Sequence, residues 1–511
     1  MTGRITVASI KQFTGALASD AMEGRGPGQP GGDRAARWIA DQFKLLGLKP
    51  LGDGTSYLQA VKFIETTVAD SSSFTVDGAS LALGSAWAPF SVNDSRLSLS
   101  AGLVFVGYGV VDPALHRNDL EGVNLSGKIA VLFQEGPANV SAEVWRRLSQ
   151  QRYVDMARAG ARAFVLIDNG RSLTPMRMLA DYLTRPKLAF ADAAPGGAGL
   201  PTSLPIFGLD DPSAAALFAR AGVGPKIAFG LAERDDFRAI DLKGSAEITV
   251  ENRSRPVTSY NVLGYLPGSD PTLAAEAVSF SAHYDAYGKI RGRIYNGAAD
   301  NAIGTAEMLA VAKAFSTMSP RPRRSLVFLA ATGEERGLLG SRYWATHPTW
   351  NIERVAANLN LDGIGTEIFG PVKQVIGFGA EHSSIGTMLE SVLQTYGITV
   401  MPDPIPEEGV FMRSDHYSFV ERGVPALMLV GAQAGNQAAF VKSFKDWEAV
   451  YYHQPSDDVY PTWHWPGAKT VADVMGILGL RIAQQDAMPT WSSTSLYRDL
   501  RRGNTAPLPV K

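Results

Sequence analysis

Two histidines of the sequence each have a carboxylate nearby, a pairing that suits metal ligation. In His283-Tyr284-Asp285, one ring nitrogen of the histidine could bind a metal while the aspartate accepts a hydrogen bond from the other nitrogen and fixes its tautomer. His453 lies four residues before Asp457. A single His-x-Asp motif is weak evidence by itself, because histidine has several other roles in proteins.

Carboxylates in three further segments could complete a metal site. Asp300 stands in GAADNAIG at 297–304, where an aspartate before an apolar helix is more often a helix N-cap. Glu334 and Glu335 are adjacent, which fits either a solvated turn or a site where one glutamate binds metal and the other transfers protons. Asp362 directly follows an apolar segment, and solvation explains that position less well.

The elements around these residues predict one sheet that brings them together. From about residue 256 the sequence alternates between apolar strand-like segments and helical segments, as expected for a mainly parallel sheet covered by helices on both faces. The predicted strands are 262–266, 278–281, 325–330, 355–361 and 426–430, and two of the predicted helices are 302–315 and 384–396. Ligands of such sheets bind beyond the carboxyl ends of the strands. All five motifs lie at that edge, which a random placement would rarely produce.

Composition narrows the ligand types and the classes of partner. The 511 residues are 45% hydrophobic and 19% charged, and the formal net charge is -2. This charge gives no general electrostatic reason to bind nucleic acid or a membrane surface. The sequence contains no cysteine and seven histidines, so a metal would be held by His, Asp and Glu. No apolar run is long enough to span a bilayer.

Two of the segments resemble the motifs of the co-catalytic dizinc aminopeptidases, the family that includes glutamate carboxypeptidase II and transferrin receptor. GAADNAIG at 297–304 resembles the loop that carries the metal-bridging aspartate, and EERGLLGS at 334–341 is an almost unbroken match to a second motif. EGR at 23–25, FVGYG at 105–109 and LSGK at 125–128 resemble members with an inserted protease-associated domain.

The resemblance implies an α/β fold with a mixed, mainly parallel sheet sandwiched by helices and a β-rich insertion. The predicted segments are 1–70 as the N-terminal part of the peptidase domain, 71–255 as the protease-associated insertion, 256–490 as the main peptidase domain and 491–511 as a C-terminal tail.

By the same resemblance, the chain holds two Zn²⁺ ions. His283 and Asp362 would bind one zinc, Glu335 and His453 the other, and Asp300 both. The general base, acting on a water shared by the metals, would be Glu334, and the residue that orients His283 would be Asp285. In the family the peptide bond after the bridging aspartate is typically cis, which predicts a cis Asp300–Asn301 bond.

Three more residues are candidates for contacts with the substrate. Arg413 and Ser414 belong to a segment, RSDH, that resembles a pocket-lining loop of the family, so His416 is a neighbour of the site and not a ligand. Tyr452 could donate to the developing oxyanion. It could equally be a packed aromatic residue.

Ala299, Ile303 and Gly363 depart from frequent Asp, Ser and Met residues of the family motifs. None of the three is a predicted ligand, so the departures concern the shape and the surroundings of the pocket.

The predicted function is that of a zinc exopeptidase acting on peptides, most simply an aminopeptidase. A carboxypeptidase or dipeptidase, a glutaminyl-cyclase-like acyltransferase and a non-catalytic receptor-like protein are the alternatives. Residues 1–13 lack the apolar stretch of a secretory signal, so the compartment stays open. Export of a trimmed chain, periplasmic or secreted, is one expectation, and the sequence does not predict the oligomeric state.

Overall fold

A computed structural model describes residues 3–92, 94–140, 142–171, 176–192, 203–433, 436–500 and 502–505. Its contacts divide the chain into two compact units, which we call unit 1 (Met1–Phe63 with Val257–Lys511) and unit 2 (Ile64–Pro256). Two long strands, Leu58–Val68 and Ile240–Leu266, contribute residues to both units. None of the helices in the described part of the chain combines the length and the apolar character needed to span a membrane.

The centre of unit 1 is a set of four adjacent parallel strands. In spatial order they are Ser325–Ala331, Ala277–His283, Val355–Asn360 and Ala426–Gln433. The first three are buried along their whole length, as expected for parallel strands covered on both faces. The predicted mainly parallel α/β sheet is therefore confirmed.

Antiparallel strands flank this parallel centre. Residues 262–266 pair with Ser325–Ala331 on one side, and Val372–Phe378 pairs with Ala426–Gln433 on the other. The short strands Lys49–Pro50 and Thr399–Val400 extend the two edges, and Gly288–Ile290 with Arg293–Tyr295 forms a separate hairpin. The sheet is thus mixed, with the antiparallel strands on its two sides.

Helices cover the sheet of unit 1. They are Val7–Leu17, Pro30–Leu45, Ile303–Ser316, Leu339–Thr346, Ile385–Gln394, His416–Val420, Gln437–Val450 and Trp465–Gln484. Ile303–Ser316 is buried on nearly all sides, whereas Pro30–Leu45 buries one face that includes Ala36, Ile39 and Phe43. The predicted helices 302–315 and 384–396 agree with the observed ones to within two residues at each end.

The described part of the predicted C-terminal tail packs against the rest of unit 1. Trp491 forms an isolated β-bridge with Ser383. The Arg502 side chain donates to the carbonyls of Val355, Ala356 and Pro489. These contacts tie the end of the described chain to the beginning of a central strand.

Unit 2 has its own parallel strands and more helix than its sequence predicts. Its parallel strands are Arg96–Phe105, Ile129–Phe133, Ala163–Ile167 and Ile206–Leu209. Strands in antiparallel pairings or outside this parallel set are Ser73–Val76, Ala79–Leu81, Trp87–Ser91, Val111–Asp112, Arg117–Asn118 and Lys187–Phe190. The helices are Ala142–Arg158, Met176–Leu183, Asp211–Arg220 and Pro225–Ala232.

Candidate metal centre

Three neighbouring parallel strands of unit 1 place predicted site residues at one edge of the sheet. His283 is the last residue of its strand, Asp362 lies two residues beyond Val355–Asn360, and Glu334 and Glu335 form a single helical turn after Ser325–Ala331. Because parallel strands end at the same edge, these side chains converge there.

A first cluster of ligand atoms surrounds the ring of His283. Its Nε2 lies 3.5 Å from Asp362 Oδ1, 3.3 Å from Asp300 Oδ1 and 3.9 Å from Glu334 Oε2. The His283 side chain is 1% exposed. Neither His283 Nε2 nor Asp362 Oδ1 makes a hydrogen bond with any described residue.

A second cluster surrounds His453, which follows the helix Gln437–Val450. Its Nε2 lies 2.9 Å from Glu335 Oε2 and 3.3 Å from Asp300 Oδ2. Asp300 therefore directs one carboxylate oxygen to each histidine. The structure brings together all five residues that the family resemblance implied as metal ligands.

The spacing and the chemistry of these atoms fit a pair of zinc ions. Two donors bound at about 2.0–2.2 Å in a tetrahedral arrangement lie about 3.3–3.5 Å apart. The distances from the histidines to Asp300, Asp362 and Glu335 fall in or near this range. Imidazole and carboxylate are also the donors that zinc takes when thiolates are absent. Glu334 lies close enough to His283 and Asp362 to be a ligand as well.

The segment that carries Asp300 is built by the side chain of the next residue. Asn301 donates from Nδ2 to the Leu361 carbonyl at 2.9 Å, and its Oδ1 accepts from the Gly304 N–H at 3.0 Å. A Cβ on Gly304 would lie 2.1 Å from that Oδ1, so the turn requires glycine there. The Asp300–Asn301 peptide bond is cis, as expected. Asp300 is not the helix N-cap, since that position is Ala302.

His283 is oriented by the main chain of Asp285 and not by its carboxylate. His283 Nδ1 lies 3.1 Å from the Asp285 carbonyl oxygen, but 3.8 Å from Oδ1 of the same residue. The chain turns after the strand, so the Asp285 carboxylate instead accepts the Glu334 N–H at 3.2 Å. The carbonyl of Asp285, and not the predicted carboxylate, therefore contacts His283, and the carboxylate contacts the main chain of Glu334.

His453 has a partner that the sequence did not reveal. The Tyr287 hydroxyl lies 3.1 Å from His453 Nδ1, and the Arg336 guanidinium lies over the Tyr287 ring at 4.3 Å from its centroid. Tyr287 is buried. Its only sequence signal is its place shortly after a strand that ends in a metal-ligand candidate.

The predicted substrate residues occupy different surroundings. Ser414 is buried; its hydroxyl donates to Asp362 Oδ2 and accepts from Asn360 Nδ2 at 2.8 Å. Ser414 therefore contacts a candidate ligand directly. Arg413 is half exposed and forms a 3.3 Å ion pair with Glu408.

Tyr452 stacks on His453, with ring centroids 3.6 Å apart. Burial, followed by the charges of Asp300 and Glu335, raises the pKa of Tyr452 well above its ordinary value, so the phenol keeps its proton. Tyr452 is thus both a packed aromatic residue and a possible hydrogen-bond donor.

The charges at the centre are strongly interdependent. Burial disfavours the charged form of His453, but Glu335 and Asp300 outweigh it and raise its pKa to about 9. Burial would also raise the pKa of Asp300, yet the two imidazoles hold that pKa below its ordinary value. Burial, reinforced by Asp362 and Glu335, raises the pKa of Glu334. Divalent cations bound here would displace protons from the imidazoles.

The centre opens into a cleft of about 620 Å³. Its polar lining comes from Asp300, Glu334, Asp362, Glu408, Arg413, Ser414, Glu448 and Tyr452, and its apolar lining from Ile364, Ile405, Val410, Met428 and Phe444. Four of the apolar residues also line an adjoining, almost wholly apolar recess of about 360 Å³. The cleft therefore combines an acidic floor with an apolar side.

Residues 261–478, which carry the whole cluster, match the model of Peptidase family M28. Segment 261–478 is therefore similar to that peptidase family. Among the curated relatives, a probable glutamate carboxypeptidase of Arthroderma benhamiae is 26% identical over 268 residues, covering 48% of this chain and 33% of that protein. A probable leucine aminopeptidase 2 of Aspergillus oryzae is 26% identical over 218 residues, covering 41% and 42%. The chain thus spans less than half the length of these curated relatives.

The fold of a solved aminopeptidase covers nearly the whole chain. The aminopeptidase from Aneurinibacillus sp. strain AM-1 superposes with a TM-score of 0.62 at 20% identity, covering 98% of this chain and 99% of that one. At this level of identity the likeness shows that the two chains share a fold.

Proposed function

We propose that the protein is a zinc-dependent exopeptidase that removes residues from the N-termini of peptides. The observation that carries the proposal is the position of Asp300, whose two oxygens face two histidines, each of which has a further carboxylate beside it. A single metal ion does not need this doubled arrangement.

His283, Asp362 and Asp300 would hold one zinc ion, and Glu335, His453 and Asp300 the other. When bound, two zinc ions supply Lewis acidity that polarises a carbonyl and lowers the pKa of water toward neutrality. The relatives of the chain, a probable leucine aminopeptidase and a probable glutamate carboxypeptidase among them, support an exopeptidase of this kind.

Glu334 is the proposed general base. Its side chain is 12% exposed and lines the cleft, so it can receive a proton from the attacking water. It would then pass that proton to the leaving amine. The Asp285 carboxylate accepts a hydrogen bond from the Glu334 N–H and so helps to fix the main chain of Glu334. Tyr452, with its retained phenolic proton, is the proposed donor to the oxyanion.

The charge of the cleft supports action at the amino end of a peptide. A free α-amine suits the carboxylates of Glu334 and Asp362, whereas a terminal carboxylate requires clustered cations. Among the described residues that line the cleft, Arg413 is the one Arg or Lys, and it pairs with Glu408. The apolar recess supports a preference for an apolar N-terminal side chain.

One short peptide in three forms tests the direction of cleavage. We expect the free peptide and its C-amidated form to be hydrolysed at similar rates, and the N-acetylated form to resist hydrolysis. Cleavage of the acetylated form at the rate of the free peptide, or loss of cleavage on amidation, would favour a carboxypeptidase or an endopeptidase instead.

Zinc content separates the remaining alternatives. The proposal requires two zinc ions per chain, while a glutaminyl-cyclase-like enzyme requires one. Hydrolysis of an aminoacyl nitroanilide would exclude a receptor-like protein without activity.

We also propose that segment 71–255 is a protease-associated insertion and that the chain is exported. An experimental structure of this segment, superposed on known domains of that type, tests the first point. Fractionation of the producing cells tests the second.

A further inference from the structure

Arg25 lies far in sequence from the family-matched segment 261–478. In the fold, its side chain contacts the main chain beside the candidate metal centre. The residue is fully buried. Its Nε donates to the Tyr284 carbonyl, and Nη1 donates to the carbonyls of Leu17 at 2.7 Å and Asn296 at 2.6 Å. Nη2 donates to the Gly297 carbonyl at 2.7 Å. Two of these four carbonyls belong to the loop that leads into Asp300.

Asp457 contacts the next residues of the same loop, but as a hydrogen-bond acceptor where Arg25 is a donor. Its Oδ1 accepts the Ala299 N–H at 2.9 Å, and its Oδ2 accepts the Asp300 N–H at 3.0 Å. The Asp457 carbonyl also accepts the Ala298 N–H at 3.3 Å. The carboxylate is 3% exposed. The buried guanidinium of Arg25 thus donates to the carbonyls of 296–297, and the buried carboxyl group of Asp457 accepts from the amides of 299–300.

The N-terminal loop has a conformation that serves this contact. Gly24 has a φ of 69°, and a Cβ there would lie 2.4 Å from the Tyr295 carbonyl oxygen. Glycine therefore lets the chain approach the hairpin that precedes the Asp300 loop. Two further hydrogen bonds join the N-terminal segment to this region. Asn296 donates to Asp20 at 2.9 Å, and the Lys289 N–H donates to Gln29 at 2.8 Å.

A guanidinium without a carboxylate in direct contact is costly to bury unless its donors are satisfied. Four carbonyls accept from four of the five N–H groups of Arg25. Burial lowers the pKa of Arg25 to about 10, against the charges of Asp457, Asp285, Asp300 and Glu335, which favour the charged form. The same positive charge offsets repulsion among the carboxylates of the centre. Lysine could keep the charge, but it could not reach four carbonyls with a planar fork.

We propose that Arg25 and Asp457 are positioning residues that fix the 296–300 loop, so that the two oxygens of Asp300 face both metal sites. The inference rests on the proposed zinc function. It also makes the N-terminal segment, which lies outside the family-matched residues, a part of the metal centre.

Zinc affinity, measured by competition with a chromophoric chelator, tests the proposal in the full chain. We expect Arg25→Lys and Asp457→Asn to weaken zinc binding about 10- to 100-fold, the range found for residues that orient metal ligands. Asparagine has one acceptor oxygen in its side chain and would lose one of the two amide bonds. The visible absorption of the Co²⁺-substituted protein should change in both variants.

Arg324→Lys is the matched control. Arg324 is another fully buried arginine, bound to Glu276 and to the carbonyls of Ile482, Gln485 and Asp486, away from the centre. It should share any general cost of replacing a buried arginine but keep the wild-type zinc affinity and Co²⁺ spectrum. Wild-type affinity and spectrum in folded Arg25→Lys and Asp457→Asn would overturn the proposal.

Hydrogen exchange in the zinc-free wild-type protein gives a test that does not depend on variants that fold. The amides of Ala299 and Asp300 should exchange slowly, because Asp457 accepts both. Rapid exchange would overturn the proposal. If the wild-type protein binds no zinc at all, the proposed function fails, which is a separate result from a failure of the two positioning residues.

Discussion

Both units present polar side chains beyond the carboxyl ends of parallel strands. Among the described residues, only those of unit 1 leave such atoms without hydrogen-bond partners in a converging cluster. In unit 2, the Tyr108 hydroxyl donates to Glu233, and Arg171 donates to both. In unit 1, His283 Nε2 and Asp362 Oδ1 face other ligand atoms without forming hydrogen bonds to described residues.

The comparison shows that position at a strand end does not by itself define a site. Buried polar groups usually have hydrogen-bond partners, so buried groups that lack them need an explanation. In unit 2 the neighbouring side chains of Tyr108, Glu233 and Arg171 supply one another's partners. In unit 1 the same edge carries imidazoles and carboxylates at metal-ligand spacing.

The largest expected effect comes from breaking a buried ion pair of unit 2. Arg117 pairs with Asp119 at 2.7 Å, and both side chains are almost fully buried. Arg117→Met should lower the free energy of unfolding of this unit by about 3–5 kcal/mol, because Asp119 would lose its cation. Chemical denaturation measures this loss. Zinc bound per folded molecule should not change, and a loss of zinc would contradict the contrast between the units.

The exposed pair Arg234–Asp236 provides the control for that variant. Arg234→Met should leave the unfolding midpoint where it is, because exposed ion pairs contribute little.

The next effect separates the two glutamates of unit 1. Glu334→Gln should keep both zinc ions but lower kcat by roughly two or more orders of magnitude, because the amide cannot accept the proton. Glu335→Gln should instead lose zinc from one site. Metal analysis and steady-state kinetics on the same preparations measure both. Equal zinc loss in the two variants would show that the roles are wrongly assigned.

A smaller effect is expected from Tyr287→Phe. The change removes the hydroxyl that contacts His453 Nδ1 and should weaken zinc binding at one site about 10-fold, since such partners orient the ligand. Chelator competition measures the affinity. Tyr57→Phe removes a hydroxyl bound to the Leu48 carbonyl and should leave zinc affinity unchanged. Equal effects of the two changes would mean that Tyr287 does not support the metal centre.

The smallest effect concerns two buried carboxyls of unit 1, Glu307 and Glu367. Burial, reinforced by Asp362, raises the pKa of Glu367 to about 7, and burial with the charge of Glu367 raises the pKa of Glu307. The pKa of a glutamate in the unfolded chain is about 4.3, so the unfolded chain loses these protons at a lower pH than the folded chain. The stability contributed by protonated Glu367 is therefore lost as the pH rises from about 4.3 through 7.

Thermal unfolding across this pH range checks the sign. The Tm of Glu367→Gln relative to wild type should rise by at least about 2 °C between pH 5 and pH 8. The exposed Glu390, changed to Gln, should show no such trend. A Tm difference independent of pH would rule out a buried protonated carboxyl at 367.

The sequence predicted which side chains converge at the sheet edge, because they occupy short local motifs after apolar segments. Glu334 and Glu335 stand in EERGLLGS, and His283 and Asp362 end or follow buried strands. The five central strand positions follow from the same apolar runs. Strand Val372–Phe378 was not predicted, although it pairs along most of Ala426–Gln433. Its alternating exposed and buried residues at the start give no continuous apolar run.

The contacts around the ligands depend on residues far apart in sequence. Tyr287 meets His453 across 166 residues, and Arg25 meets Asn296 across 271. No local periodicity encodes such pairs. The Asp285 error has a similar cause: its carbonyl and carboxylate point to different neighbours, and only the turn after the strand decides which one reaches His283.

The shared carboxylate of Asp300 has a thermodynamic consequence. In the proposed zinc pair, Asp300 belongs to two binding equilibria and couples them, so the two zinc affinities form a linked system and not two independent constants. The factor by which the first ion changes the affinity for the second equals the factor by which the second changes the affinity for the first. A titration with zinc should therefore depart from the isotherm of two non-interacting sites, and the departure measures how much of the centre the two ions hold in common.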